Sequence, residues 1–402
     1  MSDHSHATVP EAEKFDPAKL GGLSKYLLVA GAIGIVASLI GAIFSTTQFA
    51  YSWLFGFTYF FTLCVGSLFW TCIHHATDAE WSVVVRRQLE NVAALIPYLF
   101  VLFIPLFFCF GTLLHWWHLT PGENPIYDEK SGYLNHGFFY FRVAFYFIML
   151  SWVAWSLRRH STQQDSDGAA RHTFSMRRFG IGGIPVVALC LTFAAIDWLM
   201  GLDYHWFSTM WGVYIFAGAV GGGMALLVLI VHLLQGQGYL KVVNEEHYHV
   251  MGKWMLAFTI FWAYIGFDQY MLIWYANIPE ETSYYIVRNT GNWWFLSTLL
   301  VVCRFFLIFP ILLTQWVKKH PRYLMYAAIW ILLMQLLDVF IIVLAFQPAN
   351  INGVGFIALF FSIFPVIGIG GILGWLFLRN LTSSYLYPTK DPRLALSLKL
   401  TN

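Results

Sequence analysis

The chain has 402 residues, of which 58% are hydrophobic and 11% are charged, and its formal net charge is +2. Soluble domains are about 45–50% apolar and about 25% charged, so this composition excludes an ordinary soluble protein. A net charge this small gives no reason to expect a protein that binds nucleic acid. The apolar residues occur in runs of about twenty, the length that crosses a hydrocarbon core. The composition therefore predicts an all-α polytopic membrane protein.

Ten apolar runs are long enough to cross a membrane as helices. We number them spans 1 to 10, at about 26–45, 52–74, 92–115, 138–157, 180–202, 211–234, 254–277, 291–314, 323–346 and 356–378. An even number of spans places both termini on the same side of the membrane.

The lysines and arginines outside the spans are distributed very unequally. Nineteen lie on the side of the termini, and only Lys130 and Arg288 lie on the other side. The positive-inside rule therefore predicts cytoplasmic termini. Residues 1–25 are polar and lack the features of a signal peptide, so we expect a flexible cytoplasmic tail there. Residues 26–379 form the membrane domain in this prediction, and residues 380–402 form a second cytoplasmic tail.

Spans 2–5 resemble spans 6–9 in order, which indicates an internal repeat at about 52–202 and 205–346. Spans 4 and 8 each contain one arginine, Arg142 and Arg304, and spans 5 and 9 each contain one aspartate, Asp197 and Asp338. Four helices per unit is an even number, so the two copies run parallel. We predict two four-helix bundles, with spans 1 and 10 as peripheral additions.

The charged residues within the spans are Arg142, Arg304, Asp197, Asp268 and Asp338. A charge at the bilayer centre costs about 2.5–3.5 kcal/mol unless it is paired or hydrated. Consecutive helices bring Arg142 towards Asp197 and Arg304 towards Asp338, so we predict two buried ion pairs. Such pairs could simply hold each bundle together, because a paired buried charge needs no further purpose.

Asp268 is the acid left over when three carboxylates face two arginines. A desolvated carboxylate tends to become protonated, and a neutral acid among polar groups can relay protons. We therefore treat Asp268 as a candidate site of reversible protonation. Asp203 and His205, just beyond span 5, would continue such a path outwards, or they are plain interfacial polar groups.

Three histidines, His74, His75 and His232, end spans 2 and 6 on the cytoplasmic side. They are candidates for proton entry, since imidazole titrates near neutral pH, or they interact with the negative helix ends. The five cysteines lie in apolar runs and form no CxxC motif, and no span holds a mid-membrane histidine. This pattern predicts no covalent haem, no iron–sulfur cluster and no bound metal, and it identifies no catalytic residue.

The stretch AIDWLMGLDYHWFSTMWGVYIFAG, residues 195–218, resembles a signature of the two large membrane subunits of alternative complex III. Those subunits are relatives of the NrfD and polysulfide-reductase membrane subunits. The ten-helix plan and the two bundles match this superfamily across almost the whole chain. The stretch HHATDAEW, residues 74–81, is more similar to the ActF type than to the quinol-oxidising ActC type.

The resemblance implies an integral subunit of a respiratory quinol:cytochrome c, or other electron acceptor, oxidoreductase in the bacterial cytoplasmic (inner) membrane. It implies a paralogous quinol-oxidising membrane subunit as partner, and periplasmic subunits that carry iron–sulfur clusters and several c-type haems. A terminal oxidase and membrane lipid are further partners of such an assembly. Carried over by position, the proton-path candidates are the five intramembrane charges and the inner histidines. Quinone binding by this chain is left open.

Two other functions remain open from the sequence. The chain could bind quinol in its own right, with an acid in the outer half of the membrane taking the quinol proton. It could also be a secondary transporter that uses the repeat for alternating access. Parallel copies and the signature at 195–218 weigh against transport, because many transporters are built from inverted repeats.

Overall fold

The computed structural model describes residues 12–350 and 353–401, and within them the chain forms helices and no strand. Ten helices are long and apolar enough to cross a membrane, which confirms an all-α polytopic protein. We label them α1 to α10. They are α1 Leu23–Phe44, α2 Thr46–Ala76, α3 Val83–Phe107, α4 His136–Asp167, α5 Ala170–Trp198, α6 Trp211–Gly236, α7 Glu245–Ala276, α8 Trp293–Leu313, α9 Pro321–Leu344 and α10 Phe356–Ser383.

Polar residues at the helix ends explain several of these boundaries. The side chains of Ser45, Asn135 and Asn244 accept hydrogen bonds from backbone N–H groups in the first turns of α2, α4 and α7. Such caps satisfy donors that a helix start leaves without a partner. Gly168 and Asn277 adopt the left-handed conformation that ends α4 and α7. Local hydrogen bonds and backbone conformation therefore set where these helices begin and end, while hydrophobicity sets which segments span the membrane.

The two predicted bundles are present, α2–α5 and α6–α9, and α2 and α6 pack against each other where the bundles meet. A Cβ atom on Gly66 of α2 would lie only 2.0 Å from the carbonyl oxygen of Ala219 in α6. Small residues let membrane helices approach this closely. Gly66 is therefore required for the central contact between the bundles.

The peripheral helices α1 and α10 form a pair of their own beside α2. A Cβ atom on Gly34 would meet the backbone nitrogen of Gly368 at 2.4 Å, so glycine is needed at this crossing too. Large apolar side chains cover the outer surface of α1, such as Ile33 and Val36. This surface is suited to contact with lipid tails.

Both terminal segments pack against the loop between α6 and α7. The backbone N–H of Leu240 donates to Glu13 Oε2 at 2.8 Å, and that of Leu386 donates to the Glu13 carbonyl at 2.9 Å. The rings of Phe15 and Tyr239 lie 4.8 Å apart. The prediction of a flexible tail is therefore wrong for the residues from Glu13 onwards, while residues 1–11 lie outside the described part of the chain.

The predicted orientation can be tested by labelling one residue at each end of the bundles. Glu129 and Gln237 are both exposed and lie at opposite ends of the molecule. We expect an impermeant maleimide to label Glu129→Cys in intact spheroplasts, and to label Gln237→Cys only after lysis. This expectation follows from the distribution of lysine and arginine. The reverse pattern would refute cytoplasmic termini.

Candidate functional site

The first bundle contains a buried centre built around Arg142 of α4 and Asp197 of α5. Arg142 Nε lies 2.9 Å from Asp197 Oδ2, and Nη2 lies 2.8 Å from Oδ1, so the pair is bidentate. Tyr146 donates its hydroxyl to Asp197 Oδ2 at 2.7 Å. The guanidinium also lies between the rings of Tyr133 and Phe138, at 3.7 and 4.5 Å from their centroids. The charges of Arg142 and Asp197 balance, and both groups are hydrogen-bonded.

The second bundle contains an equivalent centre around Arg304 of α8 and Asp338 of α9. Arg304 Nη1 lies 2.7 Å from Asp338 Oδ2. The same carboxylate accepts a hydrogen bond from Tyr214 Oη at 2.7 Å and one from Trp262 Nε1 at 3.0 Å. Arg304 also donates to Gln335. The structure thus brings together both arginine–aspartate pairs that the repeat predicts, one in each bundle.

A π-helical turn at Val302–Leu307 interrupts α8 at Arg304. A π-turn inserts one extra residue and so changes which side chains face inwards. The indole of Trp330 donates to the carbonyl of Cys303 within this turn at 2.8 Å. Hydrophobic periodicity in the sequence does not reveal such an insertion, because every residue around Arg304 is apolar.

Arg288 is also buried, although the sequence predicts a loop between spans 7 and 8 at this position. It ends the short helix Pro279–Arg288 and is only 9% exposed. Its Nη1 donates to Tyr284 Oη at 3.0 Å, and the Tyr284 ring stacks on Trp206 with centroids 3.9 Å apart. Burial lowers the pKa of Arg288, but the surrounding tyrosines and Asp338 raise it above its ordinary value. Arg288 is therefore charged.

Asp268 does not complete a set of three buried acids. It is half-buried on α7. Its neighbours in the sequence are exposed Phe267 and buried Gln269, and Tyr264, four residues earlier, is exposed. Within residues 12–350 and 353–401 its carboxylate makes no hydrogen bond or ion pair. The predicted excess of buried carboxylate is wrong. The described residues of the two centres and the adjoining short helix instead include three buried arginines, Arg142, Arg288 and Arg304, and two buried aspartates, Asp197 and Asp338.

A cavity of about 670 Å³ lies between α7 and α8 beside the second centre. Its wall includes Tyr214 and Trp262, the two side chains that donate to Asp338, and it also includes Arg288. Cavities of this size are typical of small-molecule sites. No sequence pattern indicates this cavity, because its lining residues come from four separate segments.

Asp203 and His205 lie together in the loop after α5. The backbone N–H of His205 donates to Asp203 Oδ1 at 3.1 Å, and the His205 side chain is exposed. Burial lowers the pKa of nearby Lys130, and the charge of Asp203 offsets part of this effect. The described residues contain no hydrogen bond from this pair to either buried centre. Their position is that of interfacial polar groups.

His74 and His75 are fully buried in the last turn of α2. Neither ring nitrogen of His74 has a hydrogen-bond partner within the part of the chain that the structure describes, and the same holds for Nε2 of His75. The His74 ring packs against Trp70 and Trp81, with centroids 5.7 and 5.0 Å away. His232 is half-buried at the end of α6.

A network of buried charges lies next to these histidines, where we expected a cytoplasmic loop. Residues 83–93 are instead the first part of α3, and they are fully buried. Arg86 contacts Glu90 at 3.1 Å and Asp391 of the C-terminal segment at 2.8 Å. Arg87 contacts the same Glu90 at 3.1 Å and Asp165 of α4 at 2.8 Å. The sequence alone does not reveal this network, because residues that contact each other lie up to 305 positions apart.

The two centres lie beside the middle part of α2, where Trp198 packs on Phe57 and Phe61, and the buried charge network lies at the C-terminal end of this helix. From residue 58 to residue 71, α2 carries four buried serine and threonine side chains, Thr58, Thr62, Ser67 and Thr71. The last three donate to carbonyls three or four residues earlier in the same helix, at 2.8 to 2.9 Å. Consequently, the described residues form no continuous hydrogen-bonded chain along the helix.

No family model matches this chain, and no curated protein matches it. Within the described ranges, no group of three or more His, Cys, Asp or Glu side chains is placed to hold a metal ion. The expectation that the chain carries no cofactor of its own stays a prediction.

Removing either buried carboxylate should strongly destabilise the protein. We expect Asp197→Asn and Asp338→Asn each to cost about 3–5 kcal/mol, because each leaves a buried arginine uncompensated. Asp78→Asn is the matched control, since its carboxylate is 38% exposed and its ion pairs with Arg177 and Arg393 are therefore worth about 0–1 kcal/mol each. Thermal unfolding in one detergent measures the difference.

Adding Arg304→Gln to Asp338→Asn should recover part of the lost stability, because no unpaired charge then remains. If the single variants unfold at the same temperature as Asp78→Asn, the two pairs do not hold the bundles together.

The anchoring of the C-terminal segment should depend on pH through Asp391. Burial raises the pKa of this carboxyl, but Arg86 and Arg393 lower it more, so its pKa lies well below the usual range. In the unfolded chain the pKa of an aspartate is about 3.9, and above this pH the lower pKa of folded Asp391 stabilises the protein. This stabilisation decreases as the pH falls below about 3.9 and is lost below the pKa of the folded state.

We therefore expect Asp391→Asn to be less stable than the wild type at pH 7, with the difference shrinking below about pH 4. Thermal unfolding between pH 7 and pH 2.5 measures this difference. Glu129→Gln, at an exposed position, should show no such pH dependence. A gap between wild type and Asp391→Asn that stays constant over this range would argue against the ion pair.

Proposed function

We propose that this chain is a membrane subunit of a bacterial respiratory quinol:electron-acceptor oxidoreductase of the alternative complex III type. In this proposal it carries no redox centre and pairs with the quinol-oxidising membrane subunit. Iron–sulfur clusters and c-type haems lie in partner subunits on the periplasmic side. The chain occupies the cytoplasmic membrane with both termini inside the cell.

The observation that carries this proposal is the position of residues 195–218, the stretch on which the resemblance rests. Asp197 supplies the carboxylate of the first centre, and Tyr214 donates to Asp338 in the second. Trp206 and Trp211 lie between Asp197 and Tyr214 in the sequence. Both are buried, and their rings pack edge to face with centroids 5.4 Å apart. The stretch therefore contributes to both buried centres, and intramembrane ionisable groups are where function is expected.

The buried polar groups also support a role in proton movement. The two centres lie beside the middle part of α2, His74 and His75 lie in its last turn, and buried serine and threonine hydroxyls follow the helix from residue 58 to residue 71. Side chains four residues apart on a helix are separated by about 5–6 Å, so a proton would need bridging water between successive groups. Asp197 and Asp338 fit this role better than half-buried Asp268.

Secondary transport is less consistent with this architecture. Alternating access moves one repeat against the other around a shared site. Here each bundle is closed by its own buried ion pair, and the backbones of α2 and α6 are in contact at Gly66. These contacts favour a rigid subunit of a larger assembly.

Purification from the native host tests the proposal. With an affinity tag on the N-terminus, we expect the chain to emerge with haem absorbance and with quinol:acceptor oxidoreductase activity. The same chain expressed alone in a host without partner subunits should show neither. A chain that leaves the native membrane alone and without haem would contradict the proposal. A Soret band from the singly expressed chain would refute the cofactor-free role.

A further inference from the structure

The cavity between α7 and α8 has one polar end and one apolar end. Arg288, Asn289, Gln269 and Ser297 lie at the polar end, where α7 finishes and α8 begins. Towards the middle of both helices the wall becomes apolar. Its residues along α7 run from 270 to 260, which is about 15 Å at 1.5 Å per residue. This shape suits an amphiphile with a polar head and an apolar chain.

The side chains at the rim of the cavity lie on the outer surface of the bundle. Tyr264, Phe267 and Phe306 are each more than 60% exposed, and Val301 is 47% exposed. Exposed apolar side chains in the middle of a membrane helix contact lipid tails. The cavity therefore opens sideways between α7 and α8, and a molecule dissolved in the bilayer can enter it without passing through water.

Among the described residues, the polar end is lined by Arg288 and by no carboxylate side chain. The carboxylate of Asp338 already accepts hydrogen bonds from Arg304, Tyr214 and Trp262. Arg288 is nine-tenths buried, and its side chain donates to Tyr284. A guanidinium has five N–H groups, and a buried charge needs a counter-charge. This end of the cavity is therefore suited to an anion.

Arg288 is also held firmly in place. Ser297 of α8 donates its hydroxyl to the Arg288 carbonyl at 2.9 Å, which fixes the end of the short helix against the cavity. Arginine binds phosphate oxygens through parallel N–H groups, and a preorganised side chain loses less entropy on binding.

We propose that this cavity binds one anionic phospholipid, with its phosphate at Arg288 and one acyl chain along α7 and α8. The chain follows the apolar wall past Val301 to Phe305 and Phe306. The side-chain amide of Asn289 supplies a second hydrogen-bond donor to the lipid head group. The net negative charge of the head balances the excess of Arg288 and Arg304 over Asp338.

A neutral quinone ring fits the same space less well. Aromatic residues in the wall would stack on a ring, but tyrosines and tryptophans are also usual at a membrane interface, where Trp211, Tyr270 and Tyr285 lie. A neutral ring would leave the charge of Arg288 unbalanced. The unbalanced charge therefore decides in favour of the anionic lipid.

Native mass spectrometry of the singly expressed chain tests the proposal. The chain is exchanged into equimolar phosphatidylglycerol and phosphatidylcholine, and the retained lipids are counted. We expect one phosphatidylglycerol per chain, preferred at least tenfold over phosphatidylcholine. Arg288→Gln should abolish this preference, and Val301→Trp should block the cavity and lower retention at least tenfold. The matched controls, Arg178→Gln and Val36→Trp, change an exposed arginine and an exposed valine.

A further variant separates loss of the site from loss of the fold. Arg288→Lys keeps the charge and should retain part of the preference even if Arg288→Gln unfolds. Equal retention of both lipids by the wild type would overturn the proposal, as would unchanged retention in folded Arg288→Gln. Displacement of the lipid by decylubiquinone would also overturn it, and would identify a quinone site. None of these outcomes bears on the proposed complex, because the isolated chain is used.

Discussion

A charge in hydrocarbon must be paired, and this constraint organises the protein. Arg142 and Arg304 lie within apolar helices, where an unpaired charge is costly. Each is neutralised by an aspartate on the next helix, at 2.7 to 2.9 Å. Those contacts set the rotation of α4 against α5 and of α8 against α9. The apolar stripes of these helices could otherwise pack in several rotations, so the ion pairs select one.

The two bundles follow the same plan but differ in their balance of charge. In the first bundle Arg142 and Asp197 are matched, and Tyr146 completes the carboxylate's hydrogen bonds. In the second, Asp338 faces Arg304 while Arg288 lies nearby, and a cavity opens beside them. A π-turn in α8 accompanies this difference. The two copies therefore differ beside Arg304, which is consistent with a binding role for the second bundle.

The end of the molecule that contains both terminal segments is held together by charge in a different way. Asp391 of the C-terminal segment and Asp165 of α4 both meet the arginines at the start of α3. The N-terminal segment from Glu13 contacts the same end. Both terminal segments are therefore part of the folded unit, and they close the end at which His74 and His75 are buried. Access to those histidines depends on how firmly the segments are anchored.

Hydrophobic run length, the repeat and charge bias were sufficient to predict ten helices, two bundles and the pairs of Arg142 with Asp197 and of Arg304 with Asp338. Each of these depends on spacing along one or two neighbouring helices. Only tertiary packing decided three features: the burial of Arg288, the half-burial of Asp268, and the ion-pair network that includes Arg86 and Asp391. Burial depends on which helices cover a residue, and contacts between distant segments leave no periodic signal. A membrane helix also lacks the polar face that shows which side of a soluble helix is buried.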